Sequence, residues 1–252
     1  MSAAINSFFY TLGFFTQILK GVGHFIRRRQ AGNKILIMQI LFTFVEALGI
    51  TTFLALGIGA AVNVMGIPFL TRFSQESYIY PLLITIIMRE LGPLLTAFII
   101  IARSATAIAA EMAGMVISHE IEAYISVGVD PIEHLAAPRF LGVSISLFLL
   151  NWYFSIFGLA GSFVVAQLFN SMPALVYFGN LLDSLTLQDI LISSIKSISF
   201  GMIISVVAIT HGFAVERSST EVPVAALKAV GAAFAWCIMM DIFLSALYYI
   251  IV

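Results

Sequence analysis

Four ionisable residues lie inside long apolar stretches of this sequence, namely Arg89, Glu90, Lys196 and Asp241. An ionised group in hydrocarbon costs at least about 2.5–3.5 kcal/mol, so each of these residues requires a structural or functional reason. Counted at about 1.5 Å per helical residue, all four lie roughly 9–17 Å below the outer membrane surface. Two positive and two negative charges at one depth predict a shared polar layer. Such a layer either fixes the helices in register or lines a cavity for a polar headgroup.

Four apolar residues near the same surface could form the wall of that cavity. They are Val62, Met65, Phe69 and Phe73, at the outer end of the first apolar stretch. Each of them is equally consistent with an ordinary packed or lipid-facing side chain. A fifth intramembrane charge, Glu46, lies deeper toward the cytoplasmic side, and the sequence offers it no obvious partner.

The composition indicates whether these residues lie in a water-soluble protein or in a membrane protein. Of 252 residues, 61% are apolar and 10% are charged, whereas a soluble domain is about one quarter charged. A water-soluble globule is therefore excluded. The net charge of -1 excludes the bulk basicity that nucleic acid binding requires. The single cysteine, Cys237, excludes a disulfide framework and a zinc site of several thiolates.

Five stretches are long and apolar enough to cross a bilayer, which takes about 20 residues per helix. They cover residues 35–67, 79–101, 140–169, 190–213 and 222–252. The predicted fold is an all-α polytopic membrane protein that forms one transmembrane domain over residues 1–252. Residues 1–34 are predicted to form an N-terminal interfacial amphipathic helix with a basic segment, and residues 35–252 a five-span bundle.

The N-terminal segment differs from the spans in its pattern. Apolar residues recur at helical spacing at Ile5, Phe8, Phe9, Leu12, Phe15, Leu19 and Val22. Lys20 lies near the end of this pattern and Arg27–Arg29 follow it, which is typical of a helix that lies in the membrane interface. A sixth spanning helix is the alternative. Lysine and arginine concentrate on the side of this segment, so we expect a cytoplasmic N-terminus and a C-terminus on the opposite side.

The loop between the second and third spans is predicted to form a short cytoplasmic helix. Ser118 is the expected N-cap, Ile121 and Ile125 share a face, and Gly128 ends the helix. Asp130 is expected to cap the next helix. Such a helix is either a docking site for a soluble partner or a simple interfacial turn. The candidate docking residues are Ser118, His119, Glu120, Ile121, Glu122, Ile125 and Asp130.

The sequence contains none of the motifs G-x-x-x-x-G-K-[ST], H-E-x-x-H or G-x-S-x-G. We therefore expect no catalytic residue in this chain, and energy for uphill movement must come from a partner or an ion gradient. His119 and His134 are fifteen residues apart, which is not a metal-ligand spacing, and no metal site is expected.

Several motifs in the same order and spacing resemble the MlaE family, the permease subunits of ABC transporters that move phospholipids and related lipids. The motif block covers about fifty residues, and Lys196 and Asp241 also resemble family positions. Ser104 departs from the glycine or valine that is frequent there. The matching motifs are Arg89-Glu90-Leu91-Gly92-Pro93, Ala102-Arg103-Ser104, Ala110-Glu111-Met112, Glu120-Ile121-Glu122-Ala123, Val127-Gly128-Val129-Asp130-Pro131 and Pro138-Arg139-Phe140.

The resemblance implies a homodimer in a bacterial inner membrane, with its C-terminus in the periplasm. It implies a dimer of cytoplasmic ABC ATPase subunits that bind ATP and Mg, and an MCE-domain protein on the periplasmic side. The coupling helix would lie around residues 118–127, and a phospholipid cavity would lie at the dimer axis near the four intramembrane charges. Two other classes remain open on the residues alone. One is an ion-coupled secondary transporter with a proton relay through Glu46, Glu90 and Asp241, and the other is a membrane scaffold.

Overall fold

The computed structural model describes residues 2–27, 33–75, 78–170, 173–216, 218 and 220–251. Within these ranges the regular structure is helical, without a strand. Three segments of π-helix interrupt the α-helices, at Ile84–Leu91, Ile101–Ala105 and Ile132–Ala136. The α-helices are α1 Ser2–Arg27, α2 Asn33–Val45, α3 Leu48–Thr71, α4 Ile79–Leu83, α5 Gly92–Ile100, α6 Thr106–Ile117, α7 Glu120–Ser126, α8 Ala137–Asn170, α9 Ala174–Ser184, α10 Leu187–Phe213 and α11 Glu221–Ile251.

The five predicted spans are confirmed. Helices long and apolar enough to cross a membrane cover Lys34–Thr71, Ile79–Ile117, Ile132–Phe169, Leu187–Phe213 and Glu221–Ile250. The second and third of these extend further toward α7 than the apolar stretches predicted. Polar residues are tolerated there because Arg139 donates to Glu111 at 2.7 Å between the two helices and to the Leu135 carbonyl at 2.8 Å.

The first span is not one continuous helix as predicted. It breaks at Glu46 and Ala47 into α2 and α3, where the Ala47 amide donates to the Phe44 carbonyl in a turn. Beyond the break, α3 packs closely on α8. A Cβ on Gly161 would lie 2.5 Å from the Leu56 carbonyl oxygen, so the absence of a side chain at Gly161 is what allows this approach.

Helix α1 is not among the five spans. One face packs on the bundle: Ile18 and Val22 are buried, and Phe15 contacts Phe140 with ring centroids 6.3 Å apart. The opposite face, with Lys20 exposed, is left outside the bundle. These contacts fit the predicted interfacial helix better than a sixth span. Arg28 and Arg29 of the predicted basic segment lie outside the described residues.

Candidate functional site

The structure brings three of the four intramembrane charges together around Lys196. The Lys196 Nζ donates to Glu90 Oε2 at 2.6 Å and to Ser245 Oγ at 2.7 Å. It also lies 2.9 Å from Asp241 Oδ1, at ion-pair distance but without hydrogen-bonding geometry. Ser245 in turn donates to Glu90 Oε2 at 3.1 Å. This cluster, which we call the ionic cluster (Glu90, Lys196, Asp241 and Ser245), joins the second, fourth and fifth spans.

The fourth charge, Arg89, points to a different set of partners. It donates to the Tyr249 hydroxyl at 2.7 Å, and its guanidinium carbon lies 4.7 Å from the centroid of the Tyr248 ring. Its Nη1 lies 3.6 Å from Asp189 Oδ1, and its Nε donates to Glu90 Oε1 at 3.3 Å. Arg89 therefore links the ionic cluster to the end of α11 and the start of α10. Sequence reasoning missed Asp189 because it lies just outside the apolar stretch that begins at residue 190.

Exposure differs sharply among these charged side chains. Lys196 is 0% exposed and Arg89 is 9% exposed, whereas Asp241 is 18% and Glu90 is 32% exposed. The cations are thus covered, and the carboxylates form the accessible side of the ionic cluster. A ligand that approaches from outside this chain would meet carboxylate oxygens first and could reach the ammonium group of Lys196 only by displacing one of them.

The backbone that carries Arg89 and Glu90 is π-helical, and polar side chains from other spans hold it. In this π-helical segment the Gly92 amide donates to the Ile87 carbonyl, and Pro93, the next residue, has no amide hydrogen to donate to the Met88 carbonyl. Ser193 Oγ donates to the Met88 carbonyl at 2.8 Å, and Asn151 Nδ2 donates to Ser193 Oγ at 2.8 Å. Both side chains are buried. Sequence reasoning missed them because single serine and asparagine residues inside apolar spans form no pattern.

Glu46 has a partner, contrary to the expectation from the sequence. Arg103, on the π-helical segment Ile101–Ala105, donates both to the Glu46 carboxylate and to the Glu46 backbone carbonyl. That carbonyl belongs to the turn between α2 and α3, where the helical hydrogen bonds are interrupted. One guanidinium group therefore satisfies the charge and the broken backbone together. This pair is separate from the ionic cluster.

The four predicted wall residues lie along one stripe of α3 and the turn that follows it. Val62 is partly buried, whereas Met65, Phe69 and Phe73 are exposed. The rings of Phe69 and Phe73 contact each other with centroids 5.3 Å apart. Within the described residues, no hydrogen bond, ion pair or ring contact joins this stripe to the ionic cluster. A cavity of about 300 Å³ lies beside the stripe, between α3 and α8, and is lined by Asn63, Val64, Ile67, Pro68, Val165 and Phe169.

The predicted cytoplasmic helix is present as α7, but its start was predicted wrongly. Ser118 is not the N-cap: it ends α6, and its hydroxyl donates to the Glu120 carboxylate at 3.0 Å. His119 precedes α7 in the left-handed conformation, with φ of 60°, and pairs with the Glu122 carboxylate. His119 therefore makes the turn between α6 and α7 and occupies the position before the helix where Ser118 was expected.

The end of α7 follows the prediction. Gly128 has φ of +78°, its amide donates to the Ile125 carbonyl at 3.0 Å, and the Val129 amide donates to the Tyr124 carbonyl at 2.9 Å. These two bonds form a Schellman motif, which satisfies the last carbonyls of the helix. Asp130 then caps the next helix, since its Oδ1 accepts the Ile132 amide at 2.9 Å.

The two faces of α7 have different surroundings. Ile121 and Tyr124 pack against the core of the bundle, while Ile125 and Val127 are exposed. Ile121 and Ile125 therefore do not share one environment, although they are four residues apart. Exposed carboxylates at Glu120 and Glu122 accompany the exposed apolar residues. A shallow depression of about 330 Å³ on this surface is lined by Glu120, Ala123, Tyr124 and Val127.

Comparison with known proteins assigns the family. The chain matches the family model described as permease MlaE over residues 36–247. The intermembrane phospholipid transport system permease protein MlaE of Haemophilus influenzae is 26% identical to it over 85% of this chain and 83% of that protein. A probable ABC transporter permease protein of Rickettsia typhi is 27% identical over 71% of this chain and 69% of its own length. The chloroplastic protein TRIGALACTOSYLDIACYLGLYCEROL 1 of Arabidopsis thaliana is 25% identical over 92% of this chain and 64% of its own length. Because the family model spans most of the sequence, this chain belongs to the MlaE permease family.

Proposed function

We propose that the chain is the membrane-spanning permease subunit of an ATP-driven ABC transporter that moves phospholipids or related lipids between membranes. The match to the MlaE family over residues 36–247 carries this proposal, and the relative from Haemophilus influenzae is named for phospholipid transport. The chain would lie in a bacterial inner membrane with its N-terminus in the cytoplasm and its C-terminus in the periplasm. The bias of lysine and arginine toward one side supports this orientation.

The ionic cluster is the proposed contact site for the lipid headgroup. A phospholipid combines apolar chains with a charged head, so it requires apolar walls and one polar layer at the same depth. The partly exposed carboxylates of Glu90 and Asp241 would accept hydrogen bonds from an ammonium or hydroxyl group of the head. Lys196 would meet the phosphate only after it leaves one of these carboxylates. Arg89, covered by two tyrosines, would position Glu90 without touching the lipid.

Helix α7 is the proposed contact with the ATPase subunits. Its exposed apolar residues, Ile125 and Val127, would enter a groove of the partner, and Glu120 and Glu122 would pair with cations at its rim. ATP and Mg would bind to the partner, and no residue of this chain is assigned a catalytic role. The short π-helical and α-helical connections between α7 and the second and third spans would transmit the movement of the ATPase dimer to the bundle.

A second copy of the chain and an MCE-domain protein complete the proposed assembly. The exposed stripe of Met65, Phe69 and Phe73 would face the lipid cavity at the axis of the homodimer, with Val62 at its inner edge. An MCE-domain protein on the periplasmic side would receive or deliver the lipid there.

The test is lipid transfer between liposomes by the complex assembled from this chain and its partners. Glu90→Gln and Asp241→Asn should each lower transfer at least about tenfold, which corresponds to about 1.4 kcal/mol. The matched control is Asp183→Asn, which neutralises an exposed carboxylate on α9 and should leave transfer unchanged. Normal transfer in both cluster variants would overturn the role of the ionic cluster. Transfer by the purified chain without any ATPase would overturn the proposal as a whole.

A further inference from the structure

Helix α9, Ala174–Ser184, connects the third and fourth spans at the end of the bundle opposite α7. One face is fixed on the bundle by the buried side chains of Tyr177 and Leu181. Beside this face, Leu175 is 88% exposed, Phe178 is 40% exposed and Leu182 is 64% exposed. These three residues, which we call the α9 stripe, fall within a sector of roughly 60° at 3.6 residues per turn. A contiguous apolar stripe that is exposed on one folded chain marks a surface that contacts lipid or another protein.

The other side of the same helix, which we call the polar face, carries two exposed polar residues together with the exposed Val176. Asp183 and Asn180 are exposed, and they lie roughly 110° and 170° around the helix from the centre of the α9 stripe. The core face of Tyr177 and Leu181 lies between the two. A helix whose apolar stripe points away from its polar side chains is suited to the boundary of a membrane, where one side meets acyl chains and the other meets water.

The neighbouring span ends indicate which phase the α9 stripe meets. Leu168 and Phe169 at the end of α8, and Leu187 at the start of α10, are also exposed. They precede and follow α9 in the chain within a few residues, and they belong to helices that cross the bilayer. The α9 stripe therefore continues the apolar surface that these two spans present to lipid.

We propose that the α9 stripe is inserted into the leaflet on the side opposite α7, so that α9 is a second interfacial helix of this protein. Its ligand is the lipid surface itself, bound through acyl chains. Within Ala174–Ser184 the only charged residue is Asp183, and no lysine or arginine occurs. Attraction to anionic headgroups therefore contributes nothing, in contrast to α1, which carries Lys20. Insertion of α9 does not depend on which lipid the bundle transports.

A buried hydrogen-bond network fixes the rotation of α9 and thus the direction of the stripe. The Tyr177 hydroxyl donates to Ser162 Oγ at 2.9 Å, and Asn63 Nδ2 donates to the same oxygen at 2.8 Å. Burial raises the pKa of Tyr177, the hydrogen bond to Ser162 lowers it by less, and the phenol stays a neutral donor. Asn180 Nδ2 donates to the Tyr80 hydroxyl at 3.3 Å. These bonds connect α9 to the first, second and third spans, so α9 cannot rotate about its axis to bury the stripe.

The test measures the depth of single spin labels on the full chain in phosphatidylcholine nanodiscs. The buried thiol is first removed by Cys237→Ala. Leu182→Cys and Leu175→Cys then place labels on the stripe, and Asp183→Cys places the matched control one residue away on the polar face. Labels on the stripe should collide more with oxygen, which concentrates in lipid, and the control label should collide more with a water-soluble nickel chelate. Adding anionic phosphatidylglycerol should change neither result.

Two outcomes would overturn the proposal. If both stripe labels prefer the nickel chelate as strongly as the Asp183→Cys label does, α9 lies in water. If both stripe labels are shielded from oxygen and from nickel, a protein surface covers the stripe instead of lipid. Labelling two stripe positions keeps the test decisive if one substitution disturbs folding.

Discussion

Replacing Lys196 by methionine should lower the free energy of unfolding by about 3–5 kcal/mol, because it removes the buried cation that two carboxylates share. Methionine has nearly the same length and is apolar, so the substitution leaves no large cavity. The loss arises from the two carboxylates that remain. Glu90 and Asp241 lie 2.6 Å and 2.9 Å from the ammonium nitrogen. Without it they remain as two like charges in one cluster, and the donors left to Glu90 are Ser245 and Arg89.

A triple substitution tests whether this loss comes from charge imbalance. Lys196→Met combined with Glu90→Gln and Asp241→Asn removes all three charges together and keeps the side-chain volumes. Neutralising interacting charges together avoids leaving one of them unpaired, so the triple variant should recover most of the stability that Lys196→Met loses. The matched control is Lys228→Met, which removes an exposed lysine from α11 and should cost less than about 0.5 kcal/mol.

The assay is unfolding of the purified chain in mixed micelles of mild detergent and sodium dodecyl sulfate, followed by the circular dichroism of the helices. Double-mutant cycles between the three positions give the coupling energies directly. Our interpretation is refuted if Lys196→Met unfolds at the same detergent fraction as Lys228→Met. It is also refuted if the triple variant loses the sum of the three single losses, since groups in one ionic cluster cannot be additive.

Three further substitutions test the packing, the π-helical segment and α7. Gly59→Ala places a methyl group against a backbone carbonyl of α8 and should cost about 1–3 kcal/mol of unfolding free energy, whereas Gly57→Ala, which meets open space, should gain up to about 1 kcal/mol. Ser193→Ala leaves the carbonyl of the π-helical segment without its donor and should cost about 1–3 kcal/mol; Ser194→Ala should be neutral within about 0.5 kcal/mol. Gly128→Ala forces a Cβ into a left-handed conformation, should cost about 1–2 kcal/mol, and should speed amide hydrogen exchange in α7. Unchanged exchange would show that the Schellman motif does not hold the end of that helix.

Spacing along the sequence predicted which charges meet, because the rise of a helix is nearly constant. Counting residues from the ends of the spans placed Arg89, Glu90, Lys196 and Asp241 in one layer, and the structure brings the last three into contact around Lys196. Rotation about each helix axis was not predictable in the same way. The side chain of Arg89 points away from that of Glu90 and toward Asp189, because adjacent side chains of a helix point about 100° apart.

The π-helical segments explain most of what the sequence could not show. Each one inserts an extra residue into a helical turn and thereby rotates the side chains that follow it about the helix axis. No residue pattern in the sequence predicts where such a segment occurs. Arg103 lies in such a segment and so reaches Glu46, which seemed to lack a partner. The break between α2 and α3 could not be predicted from the sequence either, because apolar residues continue on both sides of Glu46. The Glu46 carbonyl, which the break leaves without a helical partner, accepts a hydrogen bond from Arg103 of another span.

At the start of α7, the turn that joins it to α6 overrides the local preference of serine for the N-cap position. Serine is a favoured N-cap, and Ser118 stands where the spacing of Glu120 and Glu122 would place one. The chain passes from α6 to α7 through a turn, however, and His119 makes that turn in the left-handed conformation. The C-terminal end was predictable because Gly128 is a glycine at a position that requires positive φ, and the residue type itself carries that information.

The exposure pattern of the ionic cluster has a consequence for the proposed transport. Separating α10 from α11 would pull Lys196 away from Asp241 in a site that water does not reach from the lysine side, which is costly unless other groups replace the lost contacts. A zwitterionic headgroup carries both replacements: its ammonium suits the carboxylates of Glu90 and Asp241, and its phosphate suits Lys196. Opening of the cluster and binding of the headgroup would then be thermodynamically linked, because the lipid would bind the open state more tightly than the closed one. The same linkage requires that a lipid without a charged head open the cluster less readily, so the headgroup and not the acyl chains should determine which lipids stimulate ATP hydrolysis by the assembled complex.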